Sequence, residues 1–244
     1  MKEALFGKTL EELTQIAASA GLPPYTGKQL SEWLYKKEVS GFDQMTNLSL
    51  KARAMLGSGY ETGLREPENV RESVDGTRKY LFRKAPGKYI ETAYIPENVR
   101  ATVCVSSQVG CKMGCLFCMT GKQGFQGNLS SGEILNQYRS LPEWKKITNI
   151  VYMGMGEPLD NLEEVLRSLD ILTATWGFAL SPRRITVSTI GLTQAMLRFL
   201  EQSQAHLAIS LHAPCDEERR SLIPVQQVYP IHEILQEIRS WDFG

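Results

Sequence analysis

The spacing of apolar residues divides the chain into three parts. In residues 1–60, apolar side chains recur at helical spacing in three short stretches that are separated by Gly and Pro. Residues 61–99 change to strand-like alternation, with turn signals at Asp75-Gly76 and Ala85-Pro-Gly87. The pattern predicts a small helical accessory domain followed by a two-stranded β-hairpin that links it to the rest of the chain.

From residue 100 to residue 244, runs typical of strands alternate with helical periodicity. The four predicted strands comprise residues 101–107, 149–154, 184–189 and 206–212. Strands that alternate with helices at this spacing are typical of parallel βα units. We therefore expect an α/β core, built either as an open sheet or as a barrel.

The predicted strands have one apolar face and one polar face. In the first strand, Val103 and Val105 lie opposite Cys104 and Ser106; in the last, Ile209 lies opposite Ser210. The core of a closed barrel would be aliphatic on its inner side. Small polar groups there favour a barrel whose interior holds a ligand, although such residues also simply line the ends of strands.

The cysteines give the strongest chemical signal. Four of five lie in residues 104–118, and Cys111, Cys115 and Cys118 form a C-x₃-C-x₂-C triplet. A structural zinc takes four ligands, and an iron–sulfur cluster held by protein alone usually has four cysteines. Three thiolates on one loop indicate a [4Fe–4S] cluster with one iron open to S-adenosylmethionine. A zinc site with distant ligands, or disulfides, are the alternatives.

Two other features carry candidate chemistry. Gly156 and Glu157 follow the second predicted strand. Glycines at the carboxyl end of a strand let a ligand approach the backbone closely, and Glu157 could orient the ammonium group of S-adenosylmethionine. Glu91 lies within an otherwise apolar strand and is a candidate general base. An exposed strand position is the more common explanation for such a carboxylate.

Composition limits the other functions. Hydrophobic residues make up 42% and charged residues 22% of the chain, and the formal net charge is zero. Binding of nucleic acid would therefore depend on a local patch such as the hairpin, although charge runs are more often solvated faces. The hairpin cations are Arg78, Lys79, Arg83, Lys84 and Lys88. We expect no membrane partner, and the clustered cysteines favour a cytoplasmic protein.

Five motifs together resemble the radical S-adenosylmethionine adenine C2-methyltransferases and their close C8-methylating relative. They are Cys104-Val-Ser-Ser-Gln-Val-Gly-Cys111-x₃-Cys115-x₂-Cys118, Thr120-Gly-Lys-Gln-Gly-Phe125, Gly154-Met-Gly-Glu-Pro158, Val187-Ser-Thr189 and Ser210-Leu-His-Ala-Pro214. The resemblance implies a partial parallel (βα)₆ radical-SAM barrel with an N-terminal, helix-hairpin-helix-like RNA-binding domain. It also implies methylation of adenine C2 in 23S rRNA and, in many members, in tRNA.

The resemblance also implies a role for each matching residue. Cys111, Cys115 and Cys118 would ligate the [4Fe–4S] cluster. Glu91 would be the proton acceptor, and Cys104 would help resolve a covalent protein–RNA intermediate. A disulfide bond, a flavodoxin-like reductant protein and a monomeric state belong to the same set of expectations. The residues that would contact S-adenosylmethionine are Gly156, Glu157, Ser188, Ser210, Leu211 and His212.

In the mechanism of the resembled family, one S-adenosylmethionine methylates a cysteine near the C-terminus. A second is cleaved to a 5′-deoxyadenosyl radical, which takes hydrogen from the methylated cysteine, and the resulting carbon radical adds to the adenine. Radical chemistry is needed because C2 of adenine is electron-poor. The adenine must also leave its stacked or paired context.

The sequence departs from the family at its end. The methyl-carrying cysteine and a preceding asparagine would follow the sixth barrel strand, whereas only four core strands are predicted here. We therefore expect a C-terminally truncated member that cannot complete turnover. The alternatives are a truncated RNA-binding paralogue that uses the N-terminal domain and the hairpin, and a zinc-stabilised module.

Overall fold

The computed structural model describes residues 2–242 and shows an α/β fold around one seven-stranded sheet. The strands are β1 (Glu3–Ala4), β2 (Tyr60–Glu61), β3 (Asn69–Glu72), β4 (Arg78–Ala85), β5 (Lys88–Pro96), β6 (Ala101–Cys104), β7 (Gln108–Val109), β8 (Gly127–Asn128), β9 (Asn149–Tyr152), β10 (Ile185–Thr189) and β11 (His206–Ile209). The helices are α1 (Leu10–Ser19), α2 (Tyr25–Tyr35), α3 (Leu50–Gly59), α4 (Met119–Lys122), α5 (Ser131–Arg139), α6 (Leu162–Thr173), α7 (Thr193–Gln202), α8 (Asp216–Leu222) and α9 (Ile231–Ser240).

The core consists of the four predicted parallel strands. The main sheet has the order β11-β10-β9-β6-β5-β4-β3, in which β6, β9, β10 and β11 are parallel. The helices α5, α6 and α7 lie in the connections between these strands, as parallel pairing requires. Three of these strands end two or three residues earlier than predicted, because the chain there leaves the sheet to form the loops of the site.

The hairpin belongs to the same sheet. β5 pairs with β6 in antiparallel register, with Ala93 opposite Cys104, and β4 and β3 extend the sheet beyond it. The sequence predicted two strands here, but the structure has three. β3 carried no strand signal because all four of its residues are exposed, and no apolar alternation marks it.

The two faces of the parallel strands differ as the alternation predicted. Val103, Ile150 and Ile185 lie side by side across three strands and are 0%, 1% and 0% exposed. On the opposite face, Cys104 and Thr186 are only partly buried. One face therefore packs on the helices, and the other is an open concave face with small polar groups.

The N-terminal helices pack against the α/β core through aromatic rings. The ring of Tyr35 contacts those of Phe6, Trp176 and Phe178, with centroids 5.4, 5.9 and 5.4 Å apart. None of the helices in residues 2–242 is long and apolar enough to cross a membrane.

The closest backbone approach between the N-terminal segment and the core occurs at two glycines. A Cβ atom on Gly132 would lie 2.4 Å from the carbonyl oxygen of Phe6, and one on Gly7 would lie 2.3 Å from the nitrogen of Gly132. The Ser131 hydroxyl also donates to the Gly7 carbonyl at 3.1 Å. Only glycine lets the two backbones approach this closely.

We predict that Gly132→Ala destabilises the chain by about 1–3 kcal/mol, because the methyl group collides with backbone that cannot rotate away. Urea unfolding measures the change. Gly59→Ala is the matched control, since nothing lies within 4 Å of its added Cβ. Equal unfolding midpoints for the two variants would contradict the proposed close packing.

Candidate functional site

The predicted site residues gather at the carboxyl ends of the parallel strands. Cys104 pairs with Val151, and Val151 pairs with Thr186, so these three share the concave face. Ser188 lies on the same face, two residues further along β10. Because parallel strands end at a common edge, the loops that follow them enclose one shared site.

The loop that carries the cysteine triplet follows β7. Gly110 has φ +73°, and a Cβ atom there would lie 1.7 Å from the carbonyl oxygen of Gly124, so the loop closes on itself only with glycine. The Leu116 N–H donates to the Leu222 carbonyl at 3.0 Å, which ties the loop to the end of α8. The position of the triplet therefore depends on both neighbouring segments.

The three thiols lie in a partly buried environment. Burial raises the pKa of Cys111 to about 11, and the negative charges of Glu157, Cys115 and Cys118 act in the same direction. Burial also raises the pKa of Cys115. All three thiols lie within eight residues of the same loop, residues 111–118.

This set of donors fits an iron–sulfur cluster better than a zinc ion. Within residues 2–242, no group of three or more His, Cys, Asp or Glu side chains is arranged to hold a single metal ion. Three soft thiolates on one glycine-containing loop would instead suit a [4Fe–4S] cluster, with one thiolate for each of three irons. The zinc alternative is therefore disfavoured.

Glu157 is buried and holds two loops together. One carboxylate oxygen accepts from the Leu159 N–H at 3.0 Å and the other from the Ile190 N–H at 2.9 Å. Burial raises the pKa of Glu157, while the hydroxyl of Thr189 and these two N–H groups oppose the rise. Both oxygens are engaged, so the sequence-predicted contact of this carboxylate with an ammonium group stays a prediction.

The neighbouring glycines let the backbone pack closely against residues 106–108. Gly156 has φ +98°, and a Cβ atom there would lie 2.5 Å from the Cβ of Gln108. Gly154 is equally confined, because its added Cβ would lie 2.7 Å from the Ser106 hydroxyl. The chain can therefore pass this close to Ser106 and Gln108 only because these two positions carry no side chain.

Sequence reasoning missed the role of Gln108. Its side chain is fully buried; the amide nitrogen donates to Asn128 at 2.9 Å and to Asp160 at 2.7 Å. Its amide oxygen accepts from the Glu157 N–H at 2.9 Å. Gln108 thus connects three loops of the site. Its place between Cys104 and Cys111 was the only available signal.

The structure brings together the residues predicted to contact S-adenosylmethionine on the last two strands. The hydroxyls of Ser188 and Ser210 are 3.3 Å apart. His212, two residues further on, has φ +57°, a left-handed conformation that is uncommon for a residue other than glycine. Its ring lies 4.5 Å from that of Phe117 in the cysteine loop. Backbone strain of this kind is typical of functional segments.

Arg219 is a second residue that the sequence did not single out. Its side chain is fully buried and donates to the carbonyls of Ile190, Ser210 and Leu211 at 2.7, 3.2 and 3.2 Å. Burial lowers the pKa of Arg219, and the negative charges of Cys115 and Asp216 oppose this. The guanidinium therefore orders the ends of β10 and β11 and adds positive charge near the cysteine loop.

Cys104 and Glu91 lie on the same face but in different surroundings. Burial raises the pKa of the Cys104 thiol, while an N–H of Met153 lowers it. The Glu91 side chain is about half exposed and forms an ion pair with Lys79 at 3.3 Å. On β5, Glu91 precedes Ala93, the residue opposite Cys104, by two positions. The roles expected for both remain predictions.

The positive charge of the hairpin is largely paired. Arg78 contacts Glu72 and Glu143, Arg83 lies 3.7 Å from Glu68, and Lys84 contacts Glu133. Lys79 pairs with Glu91, and Lys88 donates to the Gln126 carbonyl at 3.0 Å. The five cations that suggested an RNA-binding patch therefore present less free charge than the sequence indicated.

Comparison with known proteins identifies the family. Residues 105–242 match the family model described as Radical SAM superfamily, and residues 4–61 match that of the Ribosomal RNA large subunit methyltransferase N-terminal domain. The chain is 54% identical, over 100% of its length and 71% of the relative, to the "Probable dual-specificity RNA methyltransferase RlmN" of Parabacteroides distasonis. It belongs to the RlmN family of radical SAM enzymes. Family members use a [4Fe–4S] cluster and S-adenosylmethionine, so the cofactor prediction is confirmed.

Other relatives give the same assignment. The "Dual-specificity RNA methyltransferase RlmN" of Desulfotalea psychrophila is 42% identical over 96% of this chain and 68% of its own length. The crystal structure of a radical SAM methyltransferase from Sphaerobacter thermophilus has 40% identity and a TM-score of 0.90, and covers 96% of this chain and 71% of that chain. The α/β radical-SAM fold predicted from the sequence is confirmed.

One expectation is not supported. The resemblance implied a disulfide bond, but Cys104, Cys111, Cys115, Cys118 and Cys215 are all free in the described part of the chain.

We predict that Arg219→Met costs about 3–5 kcal/mol of folding free energy, because several buried carbonyls lose their donor. Arg220→Met is the control, since Arg220 is exposed and surface substitutions usually change stability by less than about 0.5 kcal/mol. Urea unfolding of both variants measures the difference. A loss for Arg219→Met no larger than that of the control would refute the positioning role.

In the cluster-free chain, alkylation of Cys111 by iodoacetamide should keep accelerating up to about pH 10. Its pKa is raised to about 11, so the reactive thiolate fraction grows about tenfold per pH unit below that value. Peptide mass spectrometry measures the rate, with the exposed Cys215 in the same sample as a reference for reagent access. A rate for Cys111 that levels off below pH 9 would contradict the raised pKa.

Proposed function

We propose that this chain is a radical S-adenosylmethionine methyltransferase that acts on C2 of adenine in 23S rRNA, and in tRNA. The proposal rests on the cysteine loop, which carries three free thiols and whose Phe117 ring lies 4.5 Å from the ring of His212, two residues beyond Ser210. The names of the curated relatives supply the RNA substrate. The alternative of an accessory RNA-binding protein does not account for this arrangement of thiols.

Cys111, Cys115 and Cys118 would hold the [4Fe–4S] cluster. When bound and reduced, such a cluster supplies the electron that cleaves S-adenosylmethionine to a 5′-deoxyadenosyl radical. The residues that would bind and orient the substrate are Gly156, Glu157, Ser188 and the 210–212 segment, and the hydroxyls of Ser188 and Ser210 lie 3.3 Å apart.

The cysteine loop also carries side chains that can exclude water from the reaction. Leu116, Phe117 and Met119 are 59%, 49% and 68% exposed although they are large and apolar. Exposed apolar groups around a polar site are typical of a surface that a ligand or a macromolecule covers. Bound substrate and RNA would bury them and protect a radical from solvent.

Cys104 and Glu91 are the proposed catalytic residues on the open face. The raised pKa of Cys104 keeps its thiol protonated at neutral pH, in a position facing the substrate space. Its sulfur would act on a covalent protein–RNA intermediate, as the family resemblance implies, after the thiol has given up its proton. Glu91 would accept a proton from the adenine once RNA displaces Lys79 from its carboxylate.

The remaining assignments concern organisation and partners. Residues 1–60 would form the RNA-binding domain, residues 61–99 the hairpin, and residues 100–244 the radical SAM core. A flavodoxin-like protein would be the reductant, and the protein would act as a monomer in the cytoplasm. The chain spans 71% of the first relative. Methyl transfer in this proposal also needs a methyl-carrying cysteine, a role that none of the five cysteines in these 244 residues is proposed to fill.

We predict that the reconstituted chain, given dithionite and S-adenosylmethionine, binds iron and releases 5′-deoxyadenosine. Cys111→Ala should lose both properties and keep its affinity for RNA, while Cys215→Ala should match the wild-type chain, since Cys215 is exposed and lies outside the triplet. Metal analysis and mass spectrometry of the nucleosides provide the readouts.

Each of three other results would support a different alternative to this prediction. Zinc without iron in the purified chain would establish the zinc-stabilised module. Binding of RNA without iron in the wild-type chain would favour the accessory RNA-binding protein. The appearance of 2-methyladenosine in 23S rRNA would show that these 244 residues suffice for turnover, against the prediction of an incomplete enzyme.

A further inference from the structure

A cavity of about 490 Å³ lies over the antiparallel strands β3, β4 and β5. Its lining includes Asn69, Arg71, Glu72, Lys79, Leu81 and Glu91. Its two carboxylates are already paired, Glu72 with Arg78 and Glu91 with Lys79. The volume falls within the range of ligand sites, roughly 300–1,000 Å³. None of the motifs that identified the family lies in β3 or β4.

The strand register places this cavity on the same face as Cys104. Arg71 is opposite Lys79, Lys79 is opposite Ala93, and Ala93 is opposite Cys104. Residues opposite each other in a ladder share a face, so this row crosses from the cavity to the proposed catalytic cysteine without changing sides. The concave face of the core and the cavity are therefore one continuous surface.

The distance along this row defines what the cavity can bind. β3 is three strands from β6, and strands lie about 4.8 Å apart, so Arg71 is about 14 Å from Cys104. Glu91, on β5, borders the cavity on the side of Cys104, whereas a group bound at Arg71 is too far from Cys104 to be the reacting adenine. It is near enough to belong to a nucleotide that flanks it in the same RNA strand.

Arg71 differs from the other cations of the hairpin. Arg78, Lys79, Arg83 and Lys84 form ion pairs, and Lys88 donates to a backbone carbonyl. Arg71 is exposed and makes no side-chain hydrogen bond or ion pair among residues 2–242. Its guanidinium is free to bind an anion, and its planar donors match the geometry of a phosphate.

The rest of the lining suits a nucleotide base. Leu81 offers an apolar surface between Asn69 and Glu91, its neighbours across the two adjacent strands. The Asn69 amide is exposed and can donate to and accept from a base edge. Charge, apolar surface and amide thus occur together within one cavity, on the face where the proposed RNA substrate must lie.

We propose that this cavity binds a nucleotide of the RNA substrate that flanks the target adenine, with Arg71 contacting its phosphate. This inference rests on the proposed function, because it takes RNA as the substrate. It adds a binding subsite on β3 and β4 and names the residue that provides its charge.

The test compares Arg71→Ala with Arg184→Ala by filter binding of 23S rRNA transcribed in vitro. Arg184 is also exposed, but it immediately precedes β10, at the amino end of that strand, away from the site. We expect Arg71→Ala to weaken binding about five- to tenfold at low salt. The slope of log affinity against log salt should become shallower by about 0.7, the value for one phosphate contact in single-stranded RNA. Arg184→Ala should match the wild-type chain.

Phosphate-ethylation interference on the same RNA locates the contact. With the wild-type chain, ethylation of a phosphate close to the target adenine should block binding. Ethylation of the same phosphate should have no effect on binding of the Arg71→Ala variant. Identical interference patterns, or equal losses of affinity in the two variants, would overturn the inference while leaving the proposed function intact. Failure of the wild-type chain to bind the RNA at all would instead refute the proposed function.

Discussion

The requirement that buried polar groups be hydrogen-bonded determines how the carboxyl-end loops are arranged. These loops pack on one another and on α8 through polar side chains whose partners are backbone N–H and C=O groups. Glu157 accepts from two N–H groups, and Arg219 donates to three carbonyls at the strand ends. An unsatisfied buried group costs about 1–3 kcal/mol, so each side chain permits essentially one arrangement of its loops.

The same side chains set the electrostatics of the proposed cluster site. Partly buried thiols and a buried carboxylate concentrate negative charge, which together with desolvation raises the pKa of Cys111. Arg219 is a nearby cation that opposes this concentration of negative charge. The negative charge of Cys115 in turn favours the protonated form of Arg219. A cationic cluster core bound to the three thiolates would partly neutralise this negative charge. The net charge of the site would therefore be smaller with its cofactor than without it.

Features that leave a signal in neighbouring residues could be predicted from the sequence, and features that depend on distant residues could not. The strand parity predicted that Val103 would be buried and Cys104 would face the open side, because alternation is a local property of a strand. The cysteine loop was predictable because its three cysteines lie close together in the sequence. Gln108 and Arg219 were missed because their partners lie 49 and 29 positions away and no local pattern encodes such contacts. β3 was missed because an exposed edge strand needs no apolar alternation.

The hairpin shows why counts of charged residues are poor guides to RNA binding. The sequence presents five cations in residues 78–88, yet neighbouring carboxylates and a carbonyl engage each of them. A cation in an exposed ion pair can exchange its partner for a phosphate at small cost, because such pairs contribute only about 0–1 kcal/mol. A chain with zero net charge can therefore bind RNA when its ion pairs exchange a carboxylate for a phosphate. An unpaired cation must then fix which nucleotide lies at the site. In the proposed subsite, Arg71 is such a cation, on the face that carries Cys104. The position of the RNA on that face determines which adenine reacts.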